Sequence, residues 1–139
     1  MGCLDGKIAV VTGASGGIGQ AIAVRLAAEG ADVAALGQNR ERLAETVQLA
    51  AASGRRVEPF TVDVSKGADV QKVVGDIEAA FGRIDILVNN AGVTRDGLLV
   101  RMSEEDWDTV LDTNLKSIFL FTKAAARGMM KRRAGAIVN

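Results

Sequence analysis

The sequence is poor in the residues that several classes of protein require. Four phenylalanines, one tryptophan and no tyrosine in 139 residues are too few for a surface on which nucleic-acid bases stack. The 17 basic residues balance the 17 acidic ones, so no excess charge points to nucleic acid or to an acidic membrane. The single cysteine, Cys3, cannot form an internal disulfide, which suits a reducing compartment. No apolar run approaches the roughly 18 residues of a membrane span, and no signal-peptide pattern is visible. We therefore expect a cytoplasmic domain that binds neither nucleic acid nor membrane.

Glycine, in contrast, is concentrated in the stretch around which the chain is organised. Four apolar residues at 8–11 predict a strand buried on both faces, and a helical pattern begins at Gly17. The glycines of the intervening turn allow a close approach to the backbone. Free N–H groups and the positive end of the helix dipole favour an anion there. The stretch therefore predicts the phosphate-binding turn of a dinucleotide-binding domain; an ordinary tight turn is the alternative.

Strand and helix patterns alternate along the rest of the chain. Further strands are predicted at 32–37, 56–63, 84–89 and 135–139, and helices at 17–29, 42–52, 66–81 and, with a bend, 103–132. Ser65 and Ser103 are the expected N-caps of the last two helices, and Pro59 favours an edge position for its strand. The alternation predicts an α/β fold, a doubly wound parallel sheet of the Rossmann type. We expect one dinucleotide-binding domain over residues 1–139, incomplete at its C-terminus because the chain stops in the fifth strand.

The glycine spacing, Thr-Gly-x-x-x-Gly-Ile-Gly over residues 12–19, resembles the short-chain dehydrogenase/reductase family more than the general G-x-G-x-x-G fingerprint. The run Asn-Asn-Ala-Gly at residues 89–92 matches that family's motif after strand four. The resemblance implies strand order 3-2-1-4-5 and a nicotinamide dinucleotide cofactor. The cofactor-binding residues that it implies in these two motifs are Gly13, Ala14, Ser15, Gly16, Gly17, Ile18, Gly19, Asn90, Ala91 and Gly92.

Two further positions match functional residues of the family. Asp63, followed by Val64, stands where the family hydrogen-bonds the adenine ring, although Asp at a strand end is also a common turn former. Asn114 lies inside a predicted helix, at the place of a catalytic asparagine that disturbs the helix and holds a water of a proton relay. The alternative for Asn114 is an ordinary solvent-facing side chain.

The cofactor preference depends on the end of the second strand. Gly37 stands where an acidic residue would bind the ribose hydroxyls of NAD. Without that carboxylate a 2′-phosphate is not repelled, and Arg40 lies close enough in sequence to pair with it. Gln38 fills a position that is often arginine in NADP-dependent relatives. The pattern favours NADP and leaves NAD open, since Arg40 is equally consistent with an ordinary surface charge.

The resemblance is closer to one branch, the bacterial 3-oxoacyl-acyl-carrier-protein reductases of fatty-acid synthesis. Residues 92–102, Trp107 and residues 129–133 carry this likeness. It implies reduction of a 3-oxoacyl thioester by NADPH and a homo-tetramer built through the long helices. Arg127 matches an arginine that contacts the acidic carrier protein, with an exposed helical arginine as the alternative. Reductases of acetoacetyl-CoA are similar enough to remain a second possibility.

The chemistry of this family requires residues that the sequence does not contain. A serine follows strand five, and a Tyr-x-x-x-Lys pair on the next helix transfers the proton. This chain has no tyrosine and ends at Asn139. We therefore expect the isolated chain to be inactive and to represent the cofactor-binding front of a longer oxidoreductase. The alternative is a complete, non-catalytic nucleotide-binding or interaction module.

Overall fold

The computed structural model describes residues 2–139, in which strands and helices alternate along the chain. The strands are β1 (Ile8–Val11), β2 (Asp32–Gly37), β3 (Val57–Thr61), β4 (Ile86–Val88) and β5 (Ala136–Val138). The helices are α1 (Gly17–Ala28), α2 (Arg40–Ala50), α3 (Gly67–Phe81), α4 (Glu104–Leu111) and α5 (Ser117–Arg132). Short 3-10 turns span Ala51–Ser53 and Leu99–Arg101, and a π turn spans Asp112–Lys116 between α4 and α5.

The five strands form one parallel sheet in the order β3-β2-β1-β4-β5. This confirms the predicted Rossmann-type sheet and its strand order. Pro59 lies on the edge strand β3, opposite Ala35 of β2, where a missing backbone donor does not interrupt a ladder on its outer side. The order reverses at β1, which lies between β2 and β4, so a crevice is expected beyond the carboxyl ends of these strands.

The hydrophobic core has two layers because consecutive residues of a strand face opposite sides of the sheet. Val10 and Leu36 pack on one side with α3 and α5, whose apolar stripe contains Ile77 and Phe121. Val11 and Ala35 pack on the other side with α1 and α2. Burial of β1 on both faces explains its uninterrupted apolar sequence. Within the described residues, no helix is both long enough and apolar enough to cross a membrane.

Two predicted helix starts were wrong. α2 begins at Arg40 rather than Arg42, because Asn39 is its N-cap and accepts a hydrogen bond of 3.0 Å from the Arg42 N–H. Ser65 does not cap α3; its N–H and hydroxyl donate to the Asp63 carboxylate, and Lys66 occupies the cap position. The ionised carboxylate of Asp63 accepts hydrogen bonds more strongly than a hydroxyl does. The Ser65 hydroxyl therefore donates to Asp63 in an Asx turn and does not accept from the first turn of α3.

The other helix boundaries lie within two residues of the prediction. α3 ends at Phe81, and its C-cap Gly82 has a φ of +90° that favours glycine. Ser103 caps α4 by accepting a 3.0 Å hydrogen bond from the Asp106 N–H. The predicted bend in the last helical stretch is the π turn, and Asn114 lies at its centre. A π turn adds one residue to a helical turn and is common at functional sites.

Candidate dinucleotide-binding site

A cleft of about 410 Å³ lies beyond the carboxyl ends of the central strands. Residues that follow β1, β2, β3 and β4 line it together with Thr109 of α4 and Thr113 of the π turn. Of the predicted site residues, those that line the cleft are Gly13, Ser15, Gln38, Asp63, Val64, Ala91 and Gly92. Folding thus brings four separate segments of sequence to the place where parallel α/β sheets bind ligands.

The glycine-rich turn between β1 and α1 is closely packed against the segment after β4. Gly13 has φ of +65°, and a Cβ there would lie only 2.9 Å from the Ala91 Cα. A Cβ at Gly19 would overlap the carbonyl of Gly13. Gly17 needs its positive φ of 54°, whereas a Cβ on Gly16 would meet open space. The turn therefore needs glycine at three of its four glycine positions for reasons of its own packing and backbone.

Thr12, which the sequence interpretation did not include among the site residues, joins the two motifs. Its buried Oγ1 accepts hydrogen bonds from the N–H groups of Asn90 (3.0 Å) and Ala91 (2.9 Å). The Asn90 amide in turn donates to the carbonyls of Thr12 and Gly13, at 3.3 Å each. These bonds fix the glycine turn relative to the Asn-Asn-Ala-Gly segment. A threonine as the last residue before the first glycine was the only sequence signal for this role.

Asp63 forms a turn and also faces the cleft. Its Oδ1 accepts from the Ser65 hydroxyl (2.6 Å) and the Ser65 N–H (3.1 Å). The Ser65 hydroxyl lowers the pKa of the Asp63 carboxyl, against the opposing effect of burial, and the Ser65 N–H and the Lys66 charge lower it further. The carboxylate is therefore ionised and held in one orientation. One third of the Asp63 side chain stays exposed (33%). Its part in the turn is therefore compatible with an adenine contact, which stays a prediction.

The end of β2 is crowded by the glycine turn. Gly37 is buried, and a Cβ on it would lie 3.1 Å from the Ser15 Cβ and 3.2 Å from the Ser15 Oγ. Gln38 follows, exposed and in the lining of the cleft. Arg40, on the first turn of α2, does not line this cleft but lies in a separate depression beside Pro59.

Asn114 is tied to the cleft by both ends of its side-chain amide. Its Nδ2 donates to the Val93 carbonyl (2.9 Å), and its Oδ1 accepts from the Val93 N–H (2.7 Å). Val93 lines the cleft, and a Cβ on neighbouring Gly92 would lie 3.3 Å from the Asn114 Oδ1. The side chain does not simply face solvent, as the alternative interpretation supposed. It holds the π turn against the segment after β4.

The other predicted residues lie away from the cleft lining. Ala14 is fully buried beneath the glycine turn, and the Ile18 side chain is 74% exposed at the start of α1. Arg127 is exposed on α5, in a groove between α3 and α5 that Glu78 and Lys123 also line. The structure thus separates Arg127 from the candidate dinucleotide site.

Comparison with known proteins places this geometry in a family. The family model described as short chain dehydrogenase matches residues 7–139. The chain is 45% identical over 136 residues to a 3-oxoacyl-acyl-carrier-protein reductase of Thermotoga maritima, covering 98% of this chain and 55% of the relative. It is 51% identical over 136 residues to nodulation protein G of a Rhizobium species, covering 98% and 54%. The chain therefore spans about half the length of the curated relatives that it matches.

Solved structures give the same result for the fold. A metagenomic short-chain oxidoreductase in complex with NADP superposes with a TM-score of 0.93 at 38% identity, covering 96% of this chain and 61% of the other. An NAD⁺-bound xylitol dehydrogenase superposes with a TM-score of 0.94 at 36% identity, covering 99% and 53%. With a family model matched over nearly all of its residues, the chain belongs to the short-chain dehydrogenase family.

Proposed function

We propose that this chain forms the cofactor-binding part of an oxidoreductase that uses NADPH to reduce a 3-oxoacyl thioester, carried by acyl carrier protein, in fatty-acid synthesis. The observation that carries the proposal is the hydrogen-bonded union of the glycine turn with the segment after β4 through Thr12. That union leaves a cleft at the point where the strand order reverses. The name of the Thermotoga relative supports the choice of substrate.

The residues that line the cleft are suited to a dinucleotide. Gly13 and Gly92 allow the segments that frame the cleft to pack closely, since a Cβ on either would come within 3.3 Å of a neighbouring atom. The backbone amides of Gly16–Ile18 would bind phosphate at the N-terminus of α1, and Asp63 with Val64 would hold the adenine. Asn90, Ala91 and Gly92 would lie along the cofactor. When bound, the cofactor supplies the hydride.

The choice of NADP follows from the charges around the end of β2. Gly37 provides no carboxylate to repel a 2′-phosphate, and Gln38 is neutral. Arg40 would approach the phosphate only from outside the present lining of the cleft. One solved relative holds NADP and another NAD⁺, so NAD is the alternative that a binding experiment must test.

Asn114 is the one catalytic residue that we assign to this chain. Asn114 holds the π turn against Val93, and there it would hold a water of the proton relay. The tyrosine that transfers the proton in the family has no counterpart here, because the sequence contains no tyrosine. We propose that the chain alone binds the cofactor without turnover, and that the whole protein supplies the missing serine and the Tyr-x-x-x-Lys pair.

Two surfaces outside the cleft support the proposed partners. On α5 and the preceding π turn, Leu115 and Phe119 are 62% and 59% exposed, and such an apolar face favours assembly through the long helices into a homo-tetramer. Arg127 is exposed and able to contact an acidic carrier protein. We further propose a cytoplasmic location. Reduction of acetoacetyl-CoA, or a non-catalytic nucleotide-binding module, are the alternative functions.

A fluorescence titration of the chain with NADPH and NADH tests the cofactor site. We expect saturable binding with NADPH preferred, and we expect Gly19→Ala to abolish it because the added methyl overlaps the Gly13 carbonyl. Gly75→Ala is the matched control, since a Cβ on that α3 residue meets nothing within 4 Å. Equal binding by both variants would contradict the assigned site. Reduction of acetoacetyl thioesters by the whole protein, compared between acyl-carrier-protein and CoA forms, then tests the substrate.

A further inference from the structure

Thr46 is a fully buried polar residue of α2 that the site described above does not use. Among residues 2–139 only Thr12, Thr46 and Ser117 are buried polar side chains. The Thr46 Oγ1 lies 2.7 Å from the carbonyl oxygen of Ala14 in the glycine turn and 3.3 Å from that of Arg42, one helical turn earlier. The Gln20 amide of α1 donates to the same Oγ1 at 3.0 Å.

The single hydroxyl proton of Thr46 is directed at the glycine turn. A threonine within a helix commonly donates to the carbonyl four residues earlier, which here belongs to Arg42. The contact to Ala14 is shorter by 0.6 Å, and a hydroxyl has one proton to donate. Gln20 occupies an acceptor site on Oγ1. The proton therefore lies between Thr46 and Ala14, and α1 and α2 both support the turn through this one oxygen.

This hydrogen bond fixes the direction of the next backbone donor. The Ala14 N–H donates to the Leu36 carbonyl at 2.8 Å, so Ala14 is held on both sides. In a planar trans peptide the C=O of one residue and the N–H of the next point in opposite directions. Because the Ala14 carbonyl points inward to Thr46, the Ser15 N–H points outward. Among residues 2–139, the Ser15 N–H donates to no backbone carbonyl.

Ser15 itself lies beside the position that distinguishes the two cofactors. Ser15 lines the cleft, and its Cβ lies 3.1 Å from where a Cβ on Gly37 would stand. The end of β2 is where this fold contacts the ribose 2′ position of the adenosine. A backbone N–H directed there donates well to the anionic oxygen of a 2′-phosphate.

We propose that Thr46, supported by Gln20, is a positioning residue that selects for NADPH by holding the Ala14–Ser15 peptide with its N–H towards the 2′-phosphate. This role rests on the proposed function, since it requires a dinucleotide in the cleft. It does not require Thr46 to touch the cofactor. The carbonyl of Ala14 transmits the effect from the buried helix to the surface of the cleft.

Dissociation constants of the full 139-residue chain for NADPH and NADH, measured below the melting temperature of every variant, test the proposal. Thr46→Val removes the hydroxyl and keeps the branched shape, and we expect it to weaken NADPH binding about tenfold, the size of one lost hydrogen bond to a charged group. NADH binding should weaken less than about threefold, because a neutral 2′-hydroxyl accepts more weakly. Thr46→Ser keeps the hydroxyl and should therefore keep the preference for NADPH that Thr46→Val loses.

Ser53→Ala is the matched control for loss of a helical hydroxyl. In the 3-10 turn that follows α2, the Ser53 Oγ donates to the Ala50 carbonyl at 2.7 Å and accepts from the Arg55 N–H at 3.1 Å. We expect this variant to lower the melting temperature without changing the ratio of the two dissociation constants. A merely structural role of Thr46 would likewise lower stability and leave that ratio unchanged.

The remaining outcomes separate this role from the proposed function. Equal weakening of NADPH and NADH by Thr46→Val, no weakening, or a failure of Thr46→Ser to restore the preference would each overturn the role of Thr46 alone. If the unsubstituted chain binds neither dinucleotide, the proposed function fails and this role fails with it. If Thr46→Val does not fold, Gln20→Met is the deciding variant. A preference for NADPH lowered at least about threefold, which corresponds to part of the free energy of one hydrogen bond, supports the role of Thr46. An unchanged preference overturns it.

Discussion

Substituting Gly37 by aspartate should convert the cleft from a preference for NADPH to a preference for NADH. The new Cβ would stand 3.1 Å from the Ser15 Cβ and 3.3 Å from the Leu43 Cδ2. Both neighbours are side-chain atoms, so they need to move by only a few tenths of an ångström. The carboxylate would then lie at the end of β2, where an acidic residue binds the ribose hydroxyls of NAD.

The expected size of the change comes from electrostatics. A carboxylate and one phosphate charge separated by about 5 Å, at an effective dielectric constant of about 20, repel each other by about 3 kcal/mol. That energy corresponds to a loss of NADPH affinity of about 100-fold. NADH carries no 2′-phosphate and can donate its 2′-hydroxyl to the carboxylate, so its affinity should rise or stay constant.

Gly37→Asn is the matched control, because it adds nearly the same volume without a charge. Titration of both variants with NADPH and NADH, followed by fluorescence, separates the steric contribution from the electrostatic one. We expect the asparagine variant to bind both dinucleotides somewhat more weakly and to keep their order. If asparagine and aspartate reduce NADPH affinity equally, crowding against Ser15 explains the effect. If neither does, the ribose does not lie at the end of β2.

The other two predictions concern stability, the first at the amino ends of β1 and β4 and the second beside the cleft. Asp85 accepts hydrogen bonds from Arg83 and from the first N–H of β1, at 2.9 Å to each from its Oδ2. Burial raises the pKa of Asp85, but these bonds and the nearby positive charges lower it to below its ordinary 3.8. The stability that Asp85 contributes is therefore complete above about pH 4 and is lost as the pH falls through the lower pKa of the folded state. Asp85→Asn should cost about 1 to 3 kcal/mol at pH 7 and should reduce the loss of stability at low pH that urea melts measure. An unaltered loss of stability at low pH would contradict the assignment. Asn114→Ala should cost about 2 kcal/mol in the same assay, because both polar groups of the Val93 backbone lose their partner; a loss below about 0.5 kcal/mol, the range of ordinary surface substitutions, would show that the π turn is held by packing.

Several local features could be predicted because they depend on short stretches of sequence. The apolar residues of β1 predict a strand buried on both faces, and the positive φ values at Gly13 and Gly17 agree with a glycine-rich turn. Ser103 is the N-cap at the start of α4, and Gly82 is the C-cap at the end of α3. For the two caps the partner atoms lie within a few residues, so the local sequence is enough to predict the geometry.

Ser65 and Arg40 show where local patterns are insufficient. Ser65 has the residue type of an N-cap, but its hydroxyl donates a hydrogen bond to the Asp63 carboxylate instead of capping α3. Arg40 lies close in sequence to the end of β2, yet its position on the first turn of α2 places it in a different depression. Proximity in sequence does not fix direction once a helix has begun, because each residue turns the side chain by about 100° around the axis.

The sequence by itself determined the alternation of strands and helices, the glycine turn and, through its resemblance, the family and the order of the strands. Only the tertiary structure decided which buried groups hold the cleft together. Thr12 bonds to Asn90 across 78 residues, and Thr46 bonds to Ala14 across 32. A hydroxyl can donate to or accept from any neighbour within reach, and no local pattern states which neighbour packing will supply. The residues that bring the binding groups together are therefore encoded in the fold as a whole.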